Sequence, residues 1–258
     1  MHRISIVIPA YNEEKRIGST LKQYSNYFEI LRKKKLLKYE LLVVINNTTD
    51  NTEKIVKSFQ KLNKNIKYLN LIKGGKGYAV IEGFKDALKR PNTLIGFIDA
   101  DMSTKPDAFH ILIKNIENSD GIIASRYVKG SVVLPRNTLP RIISSRIYNI
   151  LIRTLFLMPY RDTQCGAKLF RRKAIEFISD KIGMTKFAFD LEVLYKLRIN
   201  GFKIKEFSTV WSDKKYATIN FWKAGPLMAL AVIRLRIIYS PLRRFIRIYD
   251  KLIGIIPK

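Results

Sequence analysis

A mixed α/β fold, with a mostly parallel sheet flanked by helices, is the class this sequence predicts, and three observations carry the prediction. Short β-branched runs alternate with helix-periodic segments through the first half of the chain. The runs are apolar throughout rather than alternating, the pattern of strands covered on both faces. Each ends in a polar loop, and ligands of open α/β sheets bind at that edge.

Ile4 to Ala10 predicts the first strand, followed by Tyr11-Asn12-Glu13-Glu14 and a helix through Ile17, Leu21 and Tyr24. Arg32 to Lys38 is a basic run of the kind that is usually solvated. Leu41 to Ile45 predicts the second strand, and the polar run Asn46 to Thr52 caps a helix from Glu53. Ile66 to Ile72 predicts the third. Lys73-Gly74-Gly75-Lys76-Gly77 then precedes a helix through Val80, Phe84 and Leu88. Glycines and lysines at a helix start bring backbone N–H groups and cations to phosphate, although this is not a Walker A spacing; the plainer reading is a flexible turn. A strand through Ile95, Phe97 and Ile98 stops at Asp99-Ala100-Asp101. Two carboxylates there suit a hard divalent cation, Mg²⁺ or Mn²⁺, with positions left for phosphate oxygens; the plainer reading is a polar turn. Pro106 leads into a helix from about Asp107, and Gly121 to Ser125 predicts a strand ending at Arg126.

The second half changes character. A helical run between Arg136 and Arg161 carries Ile142, Ile143, Ile147, Ile150, Leu151, Leu155 and Met158 among Arg141, Arg146 and Arg153. It fits a core helix with snorkelling arginines or one facing a membrane or acceptor. Asp162-Thr163-Gln164-Cys165-Gly166 reads as a site loop. Asp190 opens a helix through Leu194 and Leu197, as a cap or as a carboxylate facing a reaction centre. Phe202 to Trp211 predicts a strand. After a helix around Leu227 to Tyr239 and the break at Pro241, residues Leu242, Phe245, Ile246, Tyr249, Leu252, Ile253 and Ile256 keep helical spacing beside Arg243, Arg247 and Lys251. Such a helix lies in a membrane interface or packs on the domain or another subunit.

The length suits one large domain with an appendage, drawn here as a catalytic domain over 1–218 and basic amphipathic helices over 219–258. Lys and Arg outnumber Asp and Glu by 48 to 21, and the formal charge of +27 requires an acidic partner: nucleic acid, anionic lipid or a phosphorylated substrate. One cysteine and two histidines argue against a disulfide framework and a zinc cluster. No apolar run of about 18 residues predicts a transmembrane helix. Met1-His2-Arg3 leads directly into a strand, without the apolar region of a signal peptide, so the expected location is cytosolic.

Six ordered segments, SIVIPAYNEEKRI (5–17), GGKGYAVIEGF (74–84), FIDADMST (97–104), ASR (124–126), RDTQCGAKLFRR (161–172) and FAFDLEVLY (187–195), resemble the inverting family 2 glycosyltransferases of the GT-A fold. Within that family the likeness is to dolichyl-phosphate glucosyltransferases and their mannose synthase relatives, and it covers nearly all of the chain. It implies that Pro9, Tyr11 and Glu13 line a nucleotide pocket and that Lys76 approaches the nucleotide or its phosphates. Asp99 is implied to contact nucleotide or metal, and Asp101 to coordinate the Mg²⁺ or Mn²⁺ that bridges the diphosphate. Arg126, with Arg136 or Arg141, is implied as a phosphate contact; Asp162, Gln164, Cys165 and Gly166 are implied to shape the donor-sugar and acceptor pocket. One departure concerns the base. Where relatives commonly read Val-Val-Asp-Asp-Gly-Ser, this chain has Val43-Val44-Ile45-Asn46-Asn47-Thr48, so Asn46 replaces a carboxylate that accepts from the base. An amide both accepts and donates, which leaves the base preference open.

The implied reaction moves a hexose, with glucose favoured, from UDP-glucose or GDP-mannose to dolichyl or another polyprenyl phosphate. It supplies a lipid-linked sugar for glycosylation at the cytoplasmic face of a membrane, by a peripheral or monotopic enzyme. That acceptor is already an anion, so no strong base is required, and Asp190 reads as a positioning group before a base. Two other readings stand beside it: a family 2 transferase acting on a sugar hydroxyl, with Asp190 as base, and a basic nucleic-acid-binding protein. No helix-turn-helix, zinc-finger or RNA-recognition signature supports the last.

Overall fold

The computed structural model describes residues 1–134, 139–182, 188–212 and 221–254, with the side chains of 139–141 and 221–224 left out. The apolar runs become β1 (His2–Ala10), β2 (Leu37–Asn46), β3 (Ile66–Leu71), β4 (Leu94–Ile98) and β5 (Gly121–Ser125). Between them lie α1 (Ile17–Lys33), α2 (Thr52–Leu62), α3 (Lys76–Leu88) and α4 (Pro106–Asn115). The later elements are β6 (Val132–Leu134), α5 (Leu139–Phe156), β7 (Ala167–Arg171), α6 (Arg172–Ile178), α7 (Phe189–Ile199), β8 (Ile204–Ser208), β9 (Val210–Ser212), α8 (Phe221–Ile238) and α9 (Ile246–Leu252).

Seven strands form one sheet in the order β3-β2-β1-β4-β7-β5-β8. Only β7 runs antiparallel to its neighbours, inserted between β4 and β5. The strand order turns round between β1 and β4, so the loops after these two strands open on the crevice where such sheets bind ligands. Both faces of the sheet are covered. Tyr24 and Phe28 of α1, Val56 of α2 and Phe109 of α4 fill one core, while Phe84 of α3, Ile175 of α6, Leu194 of α7 and Ile152 of α5 fill the other.

Three segments differ from expectation. Phe202 to Trp211 forms two strands, because β5 ends at Ser125, opposite Ser208, and offers no further partner. The chain turns away at Thr209, and β9 pairs in parallel with β6 in a separate two-stranded ribbon. The Leu242 to Ile256 periodicity does not make one α-helix: Pro241–Phe245 is a 3-10 turn followed by the short α9, and Ile256 lies outside the described residues. The helix placed around Leu227 to Tyr239 begins earlier, at Phe221, with Pro226 inside it.

The core reading of α5 holds for one face, and the other is exposed. Tyr148, Ile152 and Phe156 are buried, whereas Ile143, Ile147 and Ile150 stand more than half exposed. The inner face of α8 belongs to the same core, through fully buried Val232 and Leu235. Tyr239 after it donates from Oη to Glu192 Oε1 at 2.8 Å. Among the described residues no single helix is long and apolar enough to cross a membrane; only α8 together with the segment Pro241–Leu252, bent by 115°, has that length and composition.

Candidate active site

The crevice loops are pinned before any ligand arrives. Asn12 and Asn47, just past β1 and β2, have φ of 51° and 52°, a left-handed conformation that asparagine accepts more readily than most residues. The two loops hold each other: Thr49 N donates to Asn12 Oδ1 at 2.9 Å, Glu13 N to Thr52 Oγ1 at 2.8 Å and Glu14 N to Asp50 Oδ2 at 3.0 Å. The polar run after β2 that reads as a helix cap therefore also serves as a brace for the first loop.

The Asp99-Ala100-Asp101 turn is fixed from behind by α1. Thr20 Oγ1 donates to Ala100 O at 2.6 Å, and Tyr24 Oη to Thr104 O at 2.8 Å. Met102 takes φ of 62°, a strained value for a methionine, and its neighbour Ser103 donates from N to Asp101 Oδ1 at 2.9 Å. Strain of this kind persists where surrounding contacts over-determine a turn.

Lys76, at the start of α3, places Nζ 2.6 Å from Asp99 Oδ1. Burial works against its charge, but Asp99, with Asp190 and Asp101 behind it, outweighs that and raises its pKa above the usual lysine value. Gly166 lies against the Oδ2 oxygen of Asp99: a Cβ built there would come within 1.8 Å of it. Only glycine lets the backbone approach the carboxylate so closely. Glu13 faces the same cluster. Burial pushes its carboxyl up, Arg16, bonded to both of its oxygens at 2.6 Å, pulls it down, and Asp101 and Asp99 add to the rise.

A second pair lies close by. Lys168 Nζ is 2.5 Å from Asp190 Oδ1 and 2.7 Å from Cys165 O, and the lysine is fully buried. Lys168 and Lys76 both stand over the Phe97 ring, at 5.2 and 5.9 Å. Tyr148 Oη is buried without a hydrogen-bond partner; burial first, and Asp190 next, push its pKa up.

Arg126 and Asp162 form a third unit. Nε and Nη2 of the arginine meet the two carboxylate oxygens at 2.7 and 3.0 Å, and the Arg126 backbone N–H adds a bond at 3.0 Å. The guanidinium stacks over Trp211 and Tyr127, at 5.2 and 5.5 Å. Cys165 lies near this pair, and burial, with Asp162 adding to it, pushes the thiol up to about 12, away from the thiolate form.

Of the residues picked from sequence, the fold brings together Glu13, Lys76, Asp99, Asp101, Gly166 and Asp190, and separately Arg126, Asp162 and Gln164, whose N–H donates to Asp162 Oδ1 at 3.3 Å. Pro9 is buried within β1, and Tyr11 is 56% exposed at the crevice mouth. Asn46 is buried at the end of β2, with no partner for Oδ1. Arg136 and the Arg141 side chain lie outside the described residues. Lys168 and Trp211 went unassigned by sequence reasoning. A lysine in the run Ala167-Lys168-Leu169-Phe170 was a usable signal, since a cation in a buried strand needs an anion.

The sequence from residue 5 to residue 178 matches the model of glycosyl transferase family 2. The chain belongs to that family. Its similarities narrow further. It is 30% identical over 247 residues to a dolichyl-phosphate beta-glucosyltransferase of Dictyostelium discoideum, covering 92% of this chain and 74% of the relative. A dolichyl-phosphate beta-glucosyltransferase of Trichomonas vaginalis is 32% identical over 218 residues, with 81% and 66% covered. The human dolichyl-phosphate beta-glucosyltransferase is 28% identical, with 85% and 71% covered. Among solved structures, a glucosyl-3-phosphoglycerate synthase of Mycobacterium tuberculosis, in complex with Mn²⁺, UDP and phosphoglyceric acid, superposes with a TM-score of 0.64 at 16% identity, covering 92% of this chain and 78% of that one. A Pyrobaculum calidifontis mannosyltransferase with GDP-Man and Mn²⁺ gives 0.63 at 17%, with 96% and 68% covered. The family 2 chain is thus a glycosyltransferase of the GT-A fold.

Proposed function

We propose that this glycosyltransferase moves glucose from UDP-glucose to dolichyl phosphate with inversion at the anomeric carbon. The observation that carries the reading is the likeness to dolichyl-phosphate beta-glucosyltransferases over 92% of the chain. Two features of the site support it. Asp190, the carboxylate best placed by sequence to be a base, is tied to a buried lysine, which suits an acceptor that arrives as an anion. Asn46 stands at the strand end where relatives carry a carboxylate; its side-chain amide has both an acceptor and a donor, the pair that the adjacent N–H and C=O of uracil require, although its Oδ1 is buried in the fold.

The donor set also fits a divalent cation. Among the described residues no cation pairs with Asp101, and no three His, Cys, Asp or Glu side chains converge. An oxygen-only pair of carboxylates suits Mg²⁺ or Mn²⁺, which take remaining positions from water and substrate phosphates. Asp101, with Asp99, would hold the ion, and the ion supplies positive charge to the departing diphosphate. Lys76 contributes a second cation to the same phosphates. Arg126, held through Nε and Nη2 by Asp162, would meet the acceptor phosphate, whose oxygen forms the new bond to C1 as the bond from C1 to the diphosphate breaks.

The acceptor cannot leave its bilayer, so the enzyme docks at the cytoplasmic face of a membrane, with the segment from Pro241 onward as the attachment. Leu242, Phe245, Ile248 and Leu252 are exposed beside Arg243, Arg244 and Arg247. Neutralising these three arginines to glutamine should weaken binding to anionic liposomes by about two decades, at about 1 kcal/mol per charge, while UDP affinity is unchanged. Equal loss of both would place the segment in folding instead.

The reading is tested with purified protein, Mg²⁺ or Mn²⁺, dolichyl phosphate in liposomes and labelled UDP-glucose and GDP-mannose in parallel. Metal-dependent label in the lipid fraction from UDP-glucose is the expected result. Label from GDP-mannose alone would overturn the donor, and sugar release without lipid labelling would overturn the acceptor.

A further inference from the structure

Lys168 stands out among the charged side chains of this fold because it is fully buried in the sheet. A lysine in such a place has a reason in its contacts. Its ammonium reaches three of the segments that build the site: Asp190 at the start of α7, the Cys165 carbonyl in the 162–166 loop, and the face of Phe97, two residues before Asp99. The Cys165 carbonyl belongs to the peptide that leads into Gly166, and Gly166 is the residue pressed against the Asp99 carboxylate. Lys76 holds the Oδ1 oxygen of that carboxylate at 2.6 Å.

We infer that Lys168 is a positioning residue for the transfer reaction, setting the Asp99 carboxylate through the Cys165-Gly166 peptide, and that Asp190 serves as the anion that holds Lys168 in place instead of as a general base. The physical chain is short. A buried ammonium needs an anion, and Asp190 is 8% exposed, with its Oδ1 at hydrogen-bond distance from Nζ. A carboxylate whose Oδ1 lies 2.5 Å from a buried ammonium is committed to that contact, and turning it toward a substrate would break the contact that holds the lysine. The same ammonium cannot move without releasing the Cys165 carbonyl. Release of that carbonyl frees the glycine backbone that confines Asp99.

This inference rests on the glucosyl transfer reading, and the order of damage among variants separates the two. Asp190→Asn removes the counter-charge, at a cost in stability read from the melting temperature, but keeps a carbonyl oxygen that accepts from Lys168 and so leaves the lysine's bond to the Cys165 carbonyl in place. It should retain transfer to within about tenfold, with the pH profile of the parent enzyme and most of the Mn²⁺-dependent gain in UDP affinity. Lys168→Met loses both hydrogen bonds and should lose about a hundredfold in kcat, together with that Mn²⁺-dependent gain, while UDP affinity without metal is kept. Should Lys168→Met fail to fold, Lys168→Gln carries the same comparison. A general-base role predicts the reverse order: Asp190→Asn inactive and stripped of its acidic pH limb, with Mn²⁺-dependent UDP binding intact. Loss in Asp190→Asn equal to or greater than in the Lys168 variant overturns the inference. UDP affinity with and without Mn²⁺, measured by titration calorimetry, needs no acceptor, so it decides the matter even where the lipid acceptor proves wrong.

Discussion

Asp101→Ala is expected to cut glucosyl transfer by about a thousandfold or more while the protein stays folded. The turn it leaves behind is held by other bonds: Thr20 to Ala100 O, Tyr24 to Thr104 O, and Ser212 N to Ser103 O at 2.9 Å. What the substitution removes structurally is one acceptor for the Ser103 N–H, worth about 1 kcal/mol. Against that, Asp101 and Asp99 both raise the Glu13 pKa, the mark of like charges crowded in one cleft, and removing one of them relieves repulsion. The two effects oppose each other, so the metal-free melting temperature should move by only a few degrees. The catalytic loss has no such offset, because charge stabilisation of a leaving diphosphate is worth several kcal/mol and a thousandfold corresponds to about 4 kcal/mol. Two measurements check it: transfer rates across a Mn²⁺ titration, and melting with and without UDP and Mn²⁺ together. The parent protein gains stability from the ligand pair and the variant does not. An unchanged rate at saturating Mn²⁺ would sink the assignment of Asp101 to the ion.

What was legible in the sequence follows from how locally each feature is determined. β1, β2 and β4 are buried on both faces, so their unbroken apolar runs announced them. Lys76, Asp99 and Asp101 lie at strand ends or a helix start, where position alone suggests ligand contact. β7 was harder. Its five residues include Lys168 and Arg171, and its place between β4 and β5 depends on partners far along the chain. Long-range pairing also hid the end of β8, which is set by where β5 stops and not by any turn residue in Phe202 to Trp211. The helical spacing past Pro241 was real as a pattern, yet the chain there forms a 3-10 turn and then the short α9, held to α8 by Arg234 and Asp250 at 2.6 Å and by Tyr249 Oη donating to Leu230 O. Pairings across 36 residues (Arg126 with Asp162) or 22 (Lys168 with Asp190) leave no periodic trace at all.

The Arg126 and Asp162 pair carries the largest expected effect on stability. Asp162 is fully buried and the Arg126 side chain is only 18% exposed, hence removing either partner leaves a largely desolvated charge uncompensated. Asp162→Ala should cost about 3–5 kcal/mol, or roughly 10 °C in melting temperature. It also strips acceptors from the backbone N–H groups of Arg126 and Gln164. Replacing both charges by apolar groups of similar size, Arg126→Met with Asp162→Leu, should recover much of the stability, because a buried pair is seldom better than well-packed hydrocarbon. Transfer should not recover with it, since the double variant has no guanidinium to meet the acceptor phosphate; a double variant as active as the parent would remove Arg126 from the reaction. The pH dependence separates the same terms. Burial works to raise the Asp162 pKa, but the Arg126 charge and hydrogen bonds outweigh it and hold the carboxyl below the usual carboxylate range. A depressed folded pKa contributes stability that is fully present above the unfolded value of about 3.9 and is lost as pH falls through the lower folded value. Acid titration of the parent protein should therefore show a steep loss below about pH 4, and the double variant a shallower one over the same window.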